Sequence, residues 1–133
     1  MKRKEPLFHS VLFLLIAGIV LLAGEAAAEG VRARYLENSG NRTVLELVIE
    51  KPAPSSVIVS QFFPPGTVIQ EAVPRYSKLM AKKNEVKWLF KRPQPGVRKI
   101  ILQFAAPLKT QKVRAVVRCK SPVDGTLMTI TVQ

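Results

Sequence analysis

Side chains that could carry out catalysis are scarce in this sequence. His9 is the only histidine, Cys119 the only cysteine and Asp124 the only aspartate. A Ser-His-Asp or Cys-His site needs a histidine beside its nucleophile, and a zinc site needs several Cys or His ligands. Glu46 and Glu50 lie on an expected strand, too far apart along an extended chain to act on one substrate bond. We therefore expect a protein that is not an enzyme, with no metal site and no cofactor.

Basic side chains, by contrast, are abundant. The sequence has 21 Lys and Arg and 9 Asp and Glu; residues 1–28 hold three of the bases and two of the acids, so residues 29–133 carry 18 bases, 7 acids and a net charge of +11. From Arg75 to Lys120 there are 14 bases and one acid, Glu85. This charge favours anionic partners, and it also fits a solvated surface without a specific partner. The side chains that we expect to contact an anionic surface are Lys82, Lys83, Lys87, Lys91, Lys112, Arg114, Arg118 and Lys120.

The first 28 residues have the three parts of a secretory signal. A cationic head at residues 2–4 precedes the apolar run "VLFLLIAGIVLLAG", and Ala26 and Ala28 then provide the small-residue spacing of a cleavage site. The run is shorter than the roughly 20 residues that a membrane-spanning helix needs. We expect residues 1–28 to be a signal peptide that is cleaved after Ala28, with an uncleaved N-terminal anchor as the alternative. Both predict export of residues 29–133 to the periplasm or the cell surface.

Export changes the expected partner of the basic residues. Anionic lipid, lipopolysaccharide, an acidic wall polymer or an acidic protein becomes a more suitable counter-charge than nucleic acid. Contact with a membrane surface is compatible with this charge. Nucleic acid is an unlikely partner for an exported chain, and it would regain ground as a candidate only if the N-terminus were retained inside the cell. The oligomeric state is left open by the sequence.

The exported part has the pattern of an all-β domain. Apolar residues alternate with polar ones, and Pro, Gly and Asn interrupt the pattern at short intervals. In "EVKWLFK" the alternation predicts Trp88 to be a core residue, with a carbohydrate-stacking surface as the alternative. In "KVRAVVRCK" it predicts Cys119 to be buried. Seven to eight short strands with frequent turns indicate one immunoglobulin-like antiparallel β-sandwich over residues 29–133.

Two turns and one ambiguous segment connect these strands. "PPGT" predicts a tight turn, because proline fixes one φ angle and glycine accepts a positive one. "SPVDGT" predicts a hairpin closed by a two-residue Asp-Gly turn. The segment "RYSKLMAKKN" predicts either a loop or one helical turn.

The sequence also resembles a known family. "NRTVLELVIEKPAPSSVIVSQFFPPGTVIQEAVP" and "NEVKWLFKRPQPGVRKIILQF" are similar to a conserved-repeat domain of bacterial and archaeal surface proteins, catalogued as an eleventh domain of unknown function. The resemblance implies an immunoglobulin-like sandwich in an envelope or surface protein, and it implies no catalytic residues. The positions that carry it are Pro65, Gly66, Thr67, Asn84, Val86, Trp88, Pro95, Gly96, Ile100, Leu102 and Phe104.

These observations predict an exported, non-enzymatic interaction module of the cell envelope. Its basic residues would bind an anionic surface or an acidic partner. The alternative is a structural or accessory subunit of a larger surface assembly, held through sheet edges or an apolar patch.

Overall fold

Ten β-strands form two antiparallel sheets in the computed structural model, which describes residues 26–28, 30–108 and 112–133. A short 3-10 helix, Ala81–Lys83, lies between the sixth and seventh strands. The strands are β1 (Ala26–Ala28), β2 (Val31–Ser39), β3 (Arg42–Ile49), β4 (Ser56–Phe62), β5 (Ile69–Val73), β6 (Lys78–Met80), β7 (Glu85–Lys91), β8 (Gly96–Phe104), β9 (Arg114–Lys120) and β10 (Leu127–Val132).

The strands are divided equally between the two sheets. Sheet A has the order β1-β2-β3-β8-β5, and sheet B has the order β10-β9-β4-β7-β6. The chain crosses between the sheets after β3, β4, β5, β7 and β8. Because half of the strand pairs, β3-β8, β8-β5, β9-β4 and β4-β7, join strands that are not consecutive in sequence, the sandwich depends on non-local pairing.

The core lies between the sheets and is built from the inward side chain of every second residue. On β9, for example, Ala115, Val117 and Cys119 are buried while Arg114 and Arg118 are exposed. Successive side chains of a strand point to opposite faces of its sheet. Alternation in the sequence therefore places apolar side chains on the face toward the core and polar side chains on the face toward solvent. The largest buried side chains are Trp88, Phe104, Leu45, Leu47, Ile49, Ile100 and Leu102.

The all-β sandwich that the sequence predicts is confirmed, but the predicted number of strands is too low. All eight segments that read as strands are strands, and β1 and β6 are additional. Both additional strands are edge strands of three residues, and so short a segment shows no alternation. The segment "RYSKLMAKKN" therefore contains β6 followed by the 3-10 helix.

The predicted signal segment lies largely outside the described residues. Residues 1–25 and Glu29 are not among them, and Ala26–Ala28 form β1, which pairs antiparallel with β2. The expected cleavage point after Ala28 therefore falls at the end of β1. Cleavage there would leave β2 as the edge strand of sheet A.

The two predicted turns have different outcomes. In "PPGT", the Thr67 amide donates to the Pro64 carbonyl over 3.2 Å and Gly66 has a φ of 83°, which together make the expected tight turn. In "SPVDGT", Leu127 pairs with Lys120 and the Thr126 carbonyl accepts from the Ser121 amide, so four residues, and not two, lie in the loop. Asp124 accepts hydrogen bonds from the amide and the hydroxyl of Thr126, and these lower the pKa of its carboxyl.

Polar side chains join the two sheets at one end of the core. The Tyr35 hydroxyl on β2 donates to Oε1 of Gln61 on β4 over 2.8 Å. Burial raises the pKa of Tyr35 far above its ordinary value, so the phenol remains a donor. Asn38 donates to the Val113 carbonyl over 2.7 Å and accepts from its amide over 3.3 Å. These bonds fix the start of β9 against β2.

Candidate anion-binding face

The outward surface of sheet B carries a dense group of cations, which we call the basic face. Arg114, Arg118 and Lys120 point outward because the residues between them, apart from Val116, are buried in the core. On the other side of β4, β7 alternates in the same way: Val86 and Trp88 are buried and the lysines lie outside. The basic face consists of Lys78, Lys87, Lys91, Arg114, Arg118 and Lys120.

The predicted contact residues all lie on this face or at its rim. Five of the eight, Lys87, Lys91, Arg114, Arg118 and Lys120, belong to the basic face itself. Lys82 and Lys83 form the end of the 3-10 helix, between β6 and β7, and Lys112 stands just before β9. The sequence could not bring them together, since β7 and β9 become neighbours of β4 only through pairing across the sheet.

Lys78 is a member of the basic face that the sequence reading missed. It lies on β6 directly opposite Lys87 of β7. Its segment shows no alternation of apolar and polar residues, so the sequence did not predict whether this side chain faces the core or the solvent. Like charges opposite each other on a sheet are unfavourable, and an anion bound over the pair would relieve that repulsion.

Charge is distributed unequally between the two sheets. The strands of sheet B carry six bases and, among the described residues, one acid, Glu85, whose Oε2 is 3.7 Å from Nζ of Lys87. On the strands of sheet A three of the five cations have close acidic partners: Arg34 Nε is 3.0 Å from Glu46, Arg32 Nε is 2.7 Å from Glu50 and Arg42 Nε is 3.9 Å from Glu37. Surface pairs of this kind contribute little stability, but they offset part of the positive charge on that side of the sandwich.

Apolar side chains lie in the middle of the basic face. Ile58 of β4 is opposite both Leu89 of β7 and Arg118 of β9. Leu89 is 45% exposed, and Ile58 is partly buried. Ser60, the next outward residue of β4, is 1% exposed, and its hydroxyl has no hydrogen-bond partner within the described residues. The face is therefore a cationic border around an apolar strip.

A cleft of about 540 Å³ opens at the end of this face where β4 finishes and β9 begins. The Arg114 guanidinium carbon lies 4.2 Å from the centre of the Phe62 ring, its cross-strand neighbour. Asn84 has a left-handed backbone (φ 53°, ψ 44°), and its carbonyl accepts from the Phe63 amide over 3.0 Å. The cleft is lined by Phe62, Phe63, Pro64, Pro65, Lys83, Asn84, Lys112, Val113, Arg114 and Gln133.

Trp88 and Cys119 are core residues and take no part in this surface. Trp88 is 1% exposed and its indole N–H donates to the Pro74 carbonyl over 2.8 Å, so the carbohydrate-stacking alternative is wrong. Cys119 is a free thiol that is 1% exposed, as the alternation predicted. Burial raises the pKa of this thiol, which keeps it protonated and weakly nucleophilic.

We expect Cys119 to be inert toward thiol reagents in the folded protein. At neutral pH an aromatic disulfide reagent should label the native chain very slowly, because the thiol is both covered and protonated. In strong denaturant the same chain should release one equivalent of chromophore per chain within minutes. Rapid, complete labelling of the native protein would contradict the burial of this side chain, and Cys119→Ala provides the blank.

The described part of the chain contains neither a metal-ligand cluster nor a membrane-spanning helix. In residues 26–28, 30–108 and 112–133, no group of three or more His, Cys, Asp or Glu side chains is arranged to hold a metal ion. None of the helical structure in those residues has the length and apolar character that spanning a membrane requires.

Comparison of this chain with models of protein families, with curated proteins and with solved structures finds no match.

Proposed function

We propose that this chain is an exported, non-enzymatic interaction module whose basic face binds an anionic surface of the cell envelope. The observation that carries the proposal is the unequal charge: six bases and one acid on the strands of sheet B, against five bases on the strands of sheet A, three of which are ion-paired. Anionic lipid, lipopolysaccharide or an acidic wall polymer would supply the counter-charge, and an acidic protein surface would serve in the same way.

The strength of such binding follows from the number of cations that reach the surface together. Each cation beside an anionic membrane contributes about 1 kcal/mol, and the effect fades within a Debye length of about 10 Å at 0.1 M salt. Four or five of the six side chains acting together would hold the protein at low salt. The partly exposed Ile58 and Leu89 would add contact at the centre of the face.

The test is the salt dependence of binding to vesicles. We expect vesicles containing anionic lipid, or lipopolysaccharide, to retain the processed chain at low salt and to release it near half-molar salt, because screening removes the Coulomb attraction. Co-sedimentation over a salt series measures this, with vesicles of zwitterionic lipid alone as the control. Retention that does not change with salt, or equal retention by the zwitterionic vesicles, would reject the proposal.

A structural role in a larger surface assembly is the second candidate, and strand β1 favours it. If the chain is cleaved after Ala28, β2 becomes an edge strand whose N–H and C=O groups face outward. Such an edge can pair with a strand from another chain. Size-exclusion chromatography with light scattering separates the two candidates, since a subunit that pairs through this edge should self-associate or require a partner for solubility.

We also propose that the sandwich is immunoglobulin-like and related to the surface-protein domain that its motifs resemble. In support, β2-β3-β8-β5 and β10-β9-β4 have the neighbour order ABED and GFC of the constant-type immunoglobulin fold. Strands β7 and β6 extend sheet B beyond β4, as C′ and C″ do in variable-type domains. They differ from C′ and C″ in following β5 along the chain, since C′ and C″ precede strand D.

A further inference from the structure

We infer that the cleft beside Phe62 is a binding site for a phosphate monoester carried on a small polar group, such as a phosphorylated glycerol or sugar. This inference rests on the proposed function and deepens it. The basic face would provide general attraction to an anionic surface, and the cleft at its end would recognise one kind of head group.

The charge of the cleft matches a dianion. Its three cations come from three separate parts of the chain: Lys83 from the 3-10 helix, Lys112 from the segment before β9 and Arg114 from β9 itself. Among the described residues that line the cleft, no side chain is acidic. A phosphate monoester carries a charge between −1.5 and −2 at pH 7, as a phosphorylated side chain does. Several cations converging on one cleft therefore favour it over a monoanionic carboxylate.

Arg114 has the geometry that distinguishes phosphate from a general negative surface. Its guanidinium carbon lies over the Phe62 ring, 4.2 Å from the ring centre. Contact with an aromatic face holds a guanidinium in place and leaves the N–H groups at its edge able to donate. Two parallel N–H donors match two phosphate oxygens, which a lysine ammonium cannot reproduce.

The remaining walls suit the organic part of the ligand. Phe63, Pro64 and Pro65 provide rigid apolar surface for the C–H groups of a glycerol or sugar, and the Thr67-to-Pro64 hydrogen bonds hold the two prolines in their turn. Asn84 contributes an amide that can donate or accept, from a left-handed backbone that few residues other than glycine and asparagine adopt. A volume of about 540 Å³ is within the usual range for small-molecule sites.

The first arm of the test uses a soluble head group. Glycerol 1-phosphate, titrated into the processed chain and followed by heteronuclear NMR, should bind saturably and shift the amides around Phe62 and Lys112. R114K retains the charge and loses the planar fork, so its affinity should fall about tenfold. R118K makes the same change four residues further along β9, outside the cleft, and should remain within twofold of the unsubstituted chain.

A second variant distinguishes a loss of binding from a folding defect. Lys112 is exposed and precedes the first residue of β9, so K112Q should leave the ladder intact. It should weaken glycerol 1-phosphate binding severalfold with an unchanged thermal midpoint. The inference would be overturned if R114K and R118K lost equal affinity for glycerol 1-phosphate, if K112Q lost none, or if the unsubstituted chain did not bind this compound saturably.

The second arm identifies the source of the phosphate and separates this inference from the proposed function. Vesicles containing phosphatidic acid and vesicles containing phosphatidylglycerol are matched in zeta potential. If the chain prefers phosphatidic acid and R114K abolishes the preference, the ligand is a lipid head group. If the chain binds soluble glycerol 1-phosphate but shows no such preference, the ligand is a free phosphorylated compound. If the chain binds both kinds of vesicle in a salt-sensitive way, shows no preference between them and does not bind glycerol 1-phosphate, the inferred cleft site is rejected and the proposed role of the basic face stands. If the chain binds glycerol 1-phosphate but neither kind of vesicle, the proposed function is rejected and the cleft site stands.

Discussion

Replacing Trp88 with alanine should lower the free energy of unfolding by about 3–5 kcal/mol, because the substitution leaves a large cavity in the middle of the core. Trp88 is the largest buried side chain and is 1% exposed. It lies on β7 opposite Val59 of β4, and its indole N–H donates to the Pro74 carbonyl over 2.8 Å. The alanine variant therefore loses both packing and a bond that joins the β5–β6 connection to sheet B.

Denaturant unfolding followed by circular dichroism measures this loss. A domain of this size has a total stability of about 5–15 kcal/mol, so the variant is expected to unfold at much lower denaturant and to be partly unfolded if the parent is at the low end. Leu89→Ala is the matched control, because Leu89 is the next residue of β7 and points outward with 45% of its surface exposed. A loss below about 1 kcal/mol for Trp88→Ala would mean that the indole is not enclosed between the sheets.

The local pattern of the sequence was sufficient to predict the long strands. In β9 burial follows the alternation residue by residue, and in β3 it does so from Leu45 to Ile49, after the two further buried residues Thr43 and Val44. The same reasoning failed for β1 and β6, since three residues contain only one full period of the pattern. It also failed for the loop after β9. There the side chain of Asp124, bonded to Thr126, stabilises a longer loop than its Asp-Gly dipeptide indicates.

The candidate site could be predicted only as a set of outward cations. The alternation of apolar and polar residues predicted that Lys87, Arg114 and Arg118 lie on the solvent-facing sides of their strands. It contained no information on which strands are neighbours. The partition of charge between the sheets depends on the positions of β7 and β9 on either side of β4. The cleft is less predictable still, since Phe62, Lys83 and Arg114 come together only after four crossings of the chain between the sheets.

The second large effect concerns the basic face. Neutralising three of its cations, K91Q/R118Q/K120Q, should weaken binding to anionic vesicles on the order of a hundredfold at low salt, since each contributes about 1 kcal/mol and 1.4 kcal/mol corresponds to a factor of ten. All three side chains are exposed, and among the described residues none has an acidic partner within ion-pair distance. The substitutions should therefore change the thermal midpoint very little.

The matched control removes the same charge from the opposite side of the sandwich. R42Q/K51Q/K99Q neutralises three exposed cations on or beside the strands of sheet A. Two stacked sheets lie about 10 Å apart, so these positions are at least a Debye length from anything that contacts the basic face, and their removal should weaken binding no more than about threefold at 0.1 M salt. Isothermal vesicle titration compares the two triple variants directly. Equal losses would show that net charge alone attracts the protein, which is the behaviour of a solvated basic surface; a large difference requires that sheet B is the side that makes contact.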